Sequence, residues 1–238
     1  MLLRISGLSK SFGSLKAADS IDLVVAQGDA VGIIGPNGAG KTTLFNLIAG
    51  TSEPDSGEVV LEGVDISRAS AFRRCRAGIG RSHQIPKPFE GLTVFENLLV
   101  AATHGRTETE DGSTDFCAGI LEDTGLMRRA NDLAGSLTLL ERKRLEMARA
   151  LATGPRILLL DEIAGGLTES ECHELVSTIK AIRASGVTIV WIEHIVHALL
   201  AVVDRLVVLN FGRKIAEGDP AAVMASAQVR EIYTGIPA

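Results

Sequence analysis

The sequence predicts an α/β fold, a largely parallel sheet with a helical subdomain inserted in its middle. Three observations carry this reading. Short apolar runs alternate with helical patterns along the chain, the signal of strands joined by crossover helices. The runs are near-continuous in Val, Ile and Leu, as strands buried on both faces tend to be. Between two such blocks, from about residue 87 to 152, helical periodicity replaces the strand pattern.

Taken in order, Ala30-Val31-Gly32-Ile33-Ile34 reads as a buried strand. A Gly-rich turn follows and opens a helix over Lys41–Ala49. Helices are then expected over Thr93–Ala102, Asp115–Thr124 and Glu141–Ala152. The intervening His104–Thr114 (HGRTETEDGST) is polar and contains Gly, and reads as a mobile loop. Ile157–Leu160, Val187–Trp191 and Arg205–Leu209 are three further strands. No internal repeat is visible. The organisation expected is one domain over 1–238, with an α/β core of about 1–86 and 153–238 and a helical subdomain of about 87–152.

Composition bounds the function. With 238 residues, 46% hydrophobic and 22% charged, the chain is globular and buries a sizeable core. A net charge of −5 and a pI near 5.6 argue against a general nucleic-acid binder. Cys75, Cys117 and Cys172 are odd in number, widely spaced and in no metal-ligand pattern, so they read as reduced thiols. Met1-Leu2-Leu3-Arg4-Ile5 turns polar too soon for a signal peptide. No apolar run approaches the ~20 residues of a membrane span. The mean hydropathy of +0.24 is high. Buried parallel strands account for much of it and leave room for a docking surface.

Two segments carry recognisable chemistry. Gly35-Pro36-Asn37-Gly38-Ala39-Gly40-Lys41-Thr42 matches G-x-x-x-x-G-K-[ST] between a strand and a helix, the context this motif requires. The glycines let main-chain N–H groups curl around phosphate oxygens, Ala39 among the donors, and the helix N-terminus adds positive partial charge. Lys41 reaches β- and γ-phosphates, Thr42 ligates Mg²⁺, and Thr43 contacts the α-phosphate. Ile157-Leu158-Leu159-Leu160-Asp161-Glu162 is an apolar run ending in two carboxylates. Such a strand delivers acids to the edge where open α/β sheets bind ligands. There Asp161 holds Mg²⁺ and Glu162 polarises the attacking water. His194, just beyond the strand ending at Trp191-Ile192-Glu193, sits where a γ-phosphate is sensed. Gln84 closes Ile79-Gly80-Arg81-Ser82-His83-Gln84 ahead of a Pro-rich loop and the helical insert. His83, His104, His173 and His197 read as structural or exposed.

In this order the segments resemble the ABC (ATP-binding cassette) ATPase family, and the resemblance spans essentially the whole chain. Gly91-Leu92-Thr93-Val94-Phe95-Glu96-Asn97-Leu98 is similar to the family's G-L-T-V-x-E-N, and Phe12 matches the aromatic that stacks on adenine. The resemblance implies a P-loop NTPase core of RecA type, with an N-terminal antiparallel β portion beside the mainly parallel sheet. It implies ATP and Mg²⁺ as cofactors. It assigns Gln84 to the reaction centre and the metal, His194 to the switch position, and Thr138 to a partner's γ-phosphate. It implies a second ATPase subunit, the same or a different chain, in a head-to-tail sandwich of two ATP molecules. Membrane permease subunits, and indirectly an extracytoplasmic solute-binding protein, complete the assembly, with this chain peripheral on the cytoplasmic face and no nucleic acid involved.

The chain departs from the family at the signature. Leu137-Thr138-Leu139-Leu140-Glu141 stands where L-S-G-G-Q is usual, its register fixed by Arg144-Leu145-Glu146-Met147-Ala148-Arg149-Ala150-Leu151 behind it. Leu139 and Leu140 replace glycines that permit close backbone approach. Glu141 brings a negative charge towards a triphosphate, repulsive unless it points away. Lesser departures are Ile163 in place of Pro and Gly165-Gly166-Leu167-Thr168 after it. A weakened signature suggests a partner ATPase with an intact one. Gly13-Ser14-Leu15-Lys16-Ala17-Ala18, the Thr93–Leu98 run, R-L-E-x-A-R-A-L and Asp161-Glu162-x-Ala-Gly-Gly-Leu are similar to the branched-chain amino-acid importer group. Urea and short-amide importers, lipopolysaccharide exporters and non-transport ABC ATPases are the alternatives.

Overall fold

The structure is a computed structural model that describes residues 1–106 and 113–234. In chain order its elements are β1 (Leu3–Phe12), β2 (Leu15–Val25), β3 (Ala30–Ile34), α1 (Lys41–Ala49), β4 (Ser56–Leu61), β5 (Val64–Asp65), α2 (Ala71–Arg76) and β6 (Ile79–Arg81). There follow α3 (Val94–Gly105), α4 (Ser113–Asp123), α5 (Leu139–Ala152), β7 (Ile157–Asp161), α6 (Glu169–Ala184) and β8 (Thr188–Ile192). The chain continues through α7 (Val196–Leu200), β9 (Arg205–Asn210), β10 (Arg213–Gly218), α8 (Pro220–Ala225) and α9 (Ala227–Thr234). The chain divides into two compact units, Met1–Ala71 with Val190–Ala238, and Phe72–Ile189.

In the first unit β2-β1-β4-β5 form an antiparallel sheet in that order. This is the N-terminal antiparallel portion that the family resemblance implied. β3 runs parallel to β9, from Val31 opposite Arg205 to Ile34 opposite Val208, and β10 returns antiparallel beside β9. All five residues of β3 are buried, which accounts for its unbroken apolar run. Gly32 is required there by packing. A Cβ on it would stand 2.9 Å from Leu199 Cδ2 of α7. α1 buries Leu44, Phe45, Leu47 and Ile48, about 1.5–3 kcal/mol for each large side chain removed from water. It stops at Gly50, whose φ of 77° lets its N–H turn back to Asn46 O.

In the second unit β6 lies parallel to β7, Ile79 opposite Ile157 and Arg81 opposite Leu159. α3, α4 and α5 pack on one another. Three helices here start with the same local device. The hydroxyls of Thr93, Thr138 and Thr168 accept the N–H three residues on, and Glu96, Glu141 and Glu171 return a carboxylate to the threonine N–H. These bonds hold the Glu96 and Glu171 carboxyls below the ordinary glutamate value of 4.5.

The expected elements are present with small shifts. α1 and β3 match the sequence reading residue for residue, whereas α5 starts two residues early because Thr138 caps it. Of the segment read as a loop, His104 and Gly105 complete α3 and Ser113 and Thr114 open α4. Residues 107–112 lie outside the described residues. All three cysteines are free thiols. Among the described residues no helix is long and apolar enough to cross a membrane.

Candidate functional site

The Gly-rich turn of the first unit is shaped by its glycines. Gly40 has φ 97°, and a Cβ there would stand 2.1 Å from Ala17 O. At Gly35 it would meet Leu209 O at 2.2 Å. The turn is therefore pressed against β2 and β9, leaving no space for side chains at these positions. Ala39 N–H donates to Pro36 O, and Gly212 N–H to Ala39 O. Lys41 is buried, its ammonium donating to the carbonyls of Gly35 at 2.8 Å and Pro36 at 3.2 Å. Gly40 is the N-cap of α1 and supplies no side-chain cap, so the helix start adds main-chain N–H groups and positive partial charge to the turn. Asn37, Gly38 and Thr42 are exposed, and Thr43 is half-buried.

Phe12, at the end of β1, is 52% exposed with the Lys10 ammonium 5.7 Å from its ring centroid. His194 is also exposed, and its Nδ1 lies 3.1 Å from the fully buried carboxylate of Glu193. The same carboxylate accepts the His194 N–H at 2.9 Å, which fixes the turn that presents the imidazole.

In the second unit the two carboxylates have opposite environments. Asp161 is buried at the end of β7, its Oδ2 bonded to the Arg81 guanidinium at 2.9 Å. Ser82 Oγ accepts its N–H. Glu162 is half-buried with φ 47°, a left-handed conformation that costs a non-Gly residue about 1–2 kcal/mol. Its Oε2 accepts from Gln84 Nε2 at 2.6 Å. The structure thus joins Gln84 to Glu162, 78 residues apart in sequence.

At the signature, Thr138 Oγ1 accepts the Glu141 N–H, and Glu141 Oε2 accepts the Thr138 N–H at 2.8 Å. Glu141 Oε1 also pairs with Arg129 at 3.1 Å. The Glu141 carboxylate is thus turned to local partners, the arrangement for which the sequence reading expected no repulsion. Leu139 is exposed and Leu140 buried.

Three residues the sequence reading passed over belong to this neighbourhood. Arg81 braces Asp161. Lys143 and Glu146 are buried charges on α5 that bond to the loop around Gln84. Lys143 sits in an Arg-Lys-Arg run that reads as a solvated face. The local signal was its apolar company, with Leu140, Met147 and Ala150 on the same helix face.

A family model for ABC transporters matches residues 18–165. Among curated proteins the chain is 35% identical to the high-affinity branched-chain amino acid transport ATP-binding protein BraF of Pseudomonas aeruginosa, covering 98% of both chains. It is equally identical to LivG of Escherichia coli K12, an ATP-binding protein of the same description, again over 98% of each. The lipopolysaccharide export system ATP-binding protein LptB of Haemophilus influenzae is 33% identical over 98% of this chain and 97% of its own. In structure the chain is similar to the ADP conformation of MJ1267, an ATP-binding cassette of an ABC transporter, with a TM-score of 0.90, 33% identity and 99% of each chain covered. The chain belongs to the ABC transporter family as an ATP-binding, ATP-hydrolysing subunit.

Proposed function

We propose that this subunit powers import of branched-chain or related amino acids across the cytoplasmic membrane. The observation that carries this reading is its full-length likeness to BraF and LivG, with 98% of each chain covered. In this reading the whole chain is one ATPase domain, with the helices of about 87–152 as its helical subdomain. Phe12 stacks on adenine, a contact of about 1–3 kcal/mol that tolerates any base face. The N–H groups of Gly35, Asn37, Gly38, Ala39 and Gly40, with Lys41, Thr42 and Thr43, cradle the phosphates.

The donors assigned to the metal, Thr42 Oγ1, Gln84 Oε1 and Asp161 (directly or through water), are hard oxygens that suit Mg²⁺, which keeps several waters and takes one or two carboxylates beside substrate phosphates. Bound there, Mg²⁺ supplies charge neutralisation on the β- and γ-phosphates. Asp161 serves from a fixed position because Arg81 holds its Oδ2. Glu162 polarises the attacking water, Gln84 orients it through the bond to Glu162, and His194 meets the γ-phosphate with a ring held by Glu193.

Thr138 of one subunit completes a partner's site, in a head-to-tail pair that docks on permease subunits at the cytoplasmic face and serves a solute-binding protein indirectly. With Leu139 and Leu140 at the signature, the partner is a different ATPase chain. ATP drives closure of the pair only through tighter binding to the closed state.

The test is uptake of radiolabelled leucine, isoleucine and valine in cells with and without the gene. A specific loss, restored by wild type but not by Lys41→Ala, is expected. Unchanged uptake sinks the substrate assignment. LptB similarity favours lipopolysaccharide export as the second reading, which predicts an envelope defect in the same deletion strain.

A further inference from the structure

α5 contributes two buried charged side chains, Lys143 and Glu146, each only 4% exposed. A buried ammonium or carboxylate costs several kcal/mol unless its charge is met by good partners, so where these two spend their bonds is informative. Lys143 Nζ donates to the main-chain carbonyl of Gln84 at 2.7 Å and reaches that of Glu162 at 3.5 Å. Glu146 accepts the N–H of His83 at 3.3 Å through Oε1 and the N–H of Lys87 at 3.4 Å through Oε2. It also pairs with Arg149, which itself donates to Lys87 O. One turn of α5 thus grips the backbone on both sides of Gln84. The same lysine touches the carbonyl of Glu162, the residue in the left-handed conformation whose side chain Gln84 holds at 2.6 Å.

We propose that Lys143, with Glu146, is a positioning residue for ATP hydrolysis: it sets the Gln84 loop and the Glu162 backbone together from the first turns of the signature helix. A packing role alone would be met by Leu or Met at this buried point. The ammonium instead donates to the Gln84 carbonyl and reaches that of Glu162, which also accepts the Gly165 N–H at 3.5 Å. α5, Gln84 and Glu162 therefore shift as a set, and the start of α5 is where Thr138 and Glu141 form the cap. Loss of the Lys143 donor frees the Gln84 loop and lets the Gln84–Glu162 pair drift. A misplacement of about 1 Å at such a group lowers turnover up to about 100-fold and leaves the phosphate-binding turn of the first unit untouched.

The inference rests on the reading that Gln84 takes part in the reaction. The experiment is steady-state ATPase kinetics of the complex purified with its partner ATPase, carrying this chain as wild type, Lys143→Met, Gln84→Ala and the double variant, with fluorescent-nucleotide affinity of this chain measured alongside. Lys143→Met keeps the apolar stem and removes the donor. The expected result is a kcat lowered at least about tenfold with KM and nucleotide affinity within twofold, and no further loss when Lys143→Met is added to Gln84→Ala. Unchanged kcat, a rise in KM without loss of kcat, or fully additive losses in the double variant would overturn the proposal. If Gln84→Ala lowers kcat and Lys143→Met does not, only this inference fails. If Gln84→Ala has no effect, the role of Gln84 fails and the inference falls with it. Should Lys143→Met not fold, Lys143→Gln, which retains a side-chain N–H donor, is expected to fold with an intermediate kcat. Failure of both to fold would make Lys143 purely structural.

Discussion

Lys41 and Gly40 are neighbours with different kinds of necessity. The ammonium of Lys41 is buried and held by the carbonyls of Gly35 and Pro36, so its charge is stationed at the turn before any phosphate is engaged. Preorganised charge of this sort contributes about 100–1,000-fold to turnover when it faces developing negative charge. Lys41→Ala is expected to lower kcat/KM by at least about 100-fold while the melting temperature changes little, measured by coupled ATPase assay and thermal denaturation. Gly40 is required by geometry. Its φ of 97° and the carbonyl of Ala17, 2.1 Å from where a Cβ would stand, make Gly40→Ala destabilising by more than about 1 kcal/mol. A melting temperature equal to wild type would contradict the described packing of the turn on β2.

At the scale of elements, the helix starts decide more than their propensities. α3, α5 and α6 each open with a Thr-x-x-Glu box. Removing an N-cap hydroxyl costs about 1 kcal/mol, so Thr138→Ala is expected to lower unfolding free energy by about that amount in denaturant titration. pH dependence follows from the partner carboxylates. Main-chain and side-chain bonds from Thr168 hold the Glu171 carboxyl below 4.5. A depressed folded-state value means the stabilisation is full above 4.5 and is lost as pH falls through the lowered value. Wild type and Glu171→Ala are therefore expected to differ in melting temperature at neutral pH and to converge in strong acid. A gap that persists in acid would refute the assignment.

For the whole molecule, the signature is the deciding feature. With Leu139 exposed and Glu141 turned to Thr138 and Arg129, the helix start presents bulk where the family usually has glycine. Two copies facing each other would each meet this bulk, whereas a partner with glycines there would leave one composite site close-fitting. If Glu162 polarises the attacking water as proposed, Glu162→Gln slows hydrolysis and preserves bound ATP, and this variant is expected to elute as a monomer with ATP and Mg²⁺ in gel filtration. A tight homodimer would remove the need for a second kind of ATPase chain.

The phosphate-binding turn, α1, β3 and the strand ending at Asp161 were legible in the sequence because each is local. An apolar run, a glycine spacing and a lysine at a fixed offset lie within about a dozen residues, and their physics needs no distant partner. The capping box at Thr138 and Glu141 is equally local, a Thr-x-x-Glu spacing lying within the segment that resembles the family signature. Three other features depended on the tertiary structure. Arg81 meets Asp161 across 80 residues of sequence, Gln84 meets Glu162 across 78, and Lys143 meets Gln84 across 59. Residue types alone do not say which charges are buried together, because a lysine in an Arg-Lys-Arg run is soluble in one packing and a clamp in another. Only the parallel register of β6 with β7 and the packing of α5 in the same unit bring these groups within bonding distance. There the cost of desolvation makes each remaining hydrogen bond decisive.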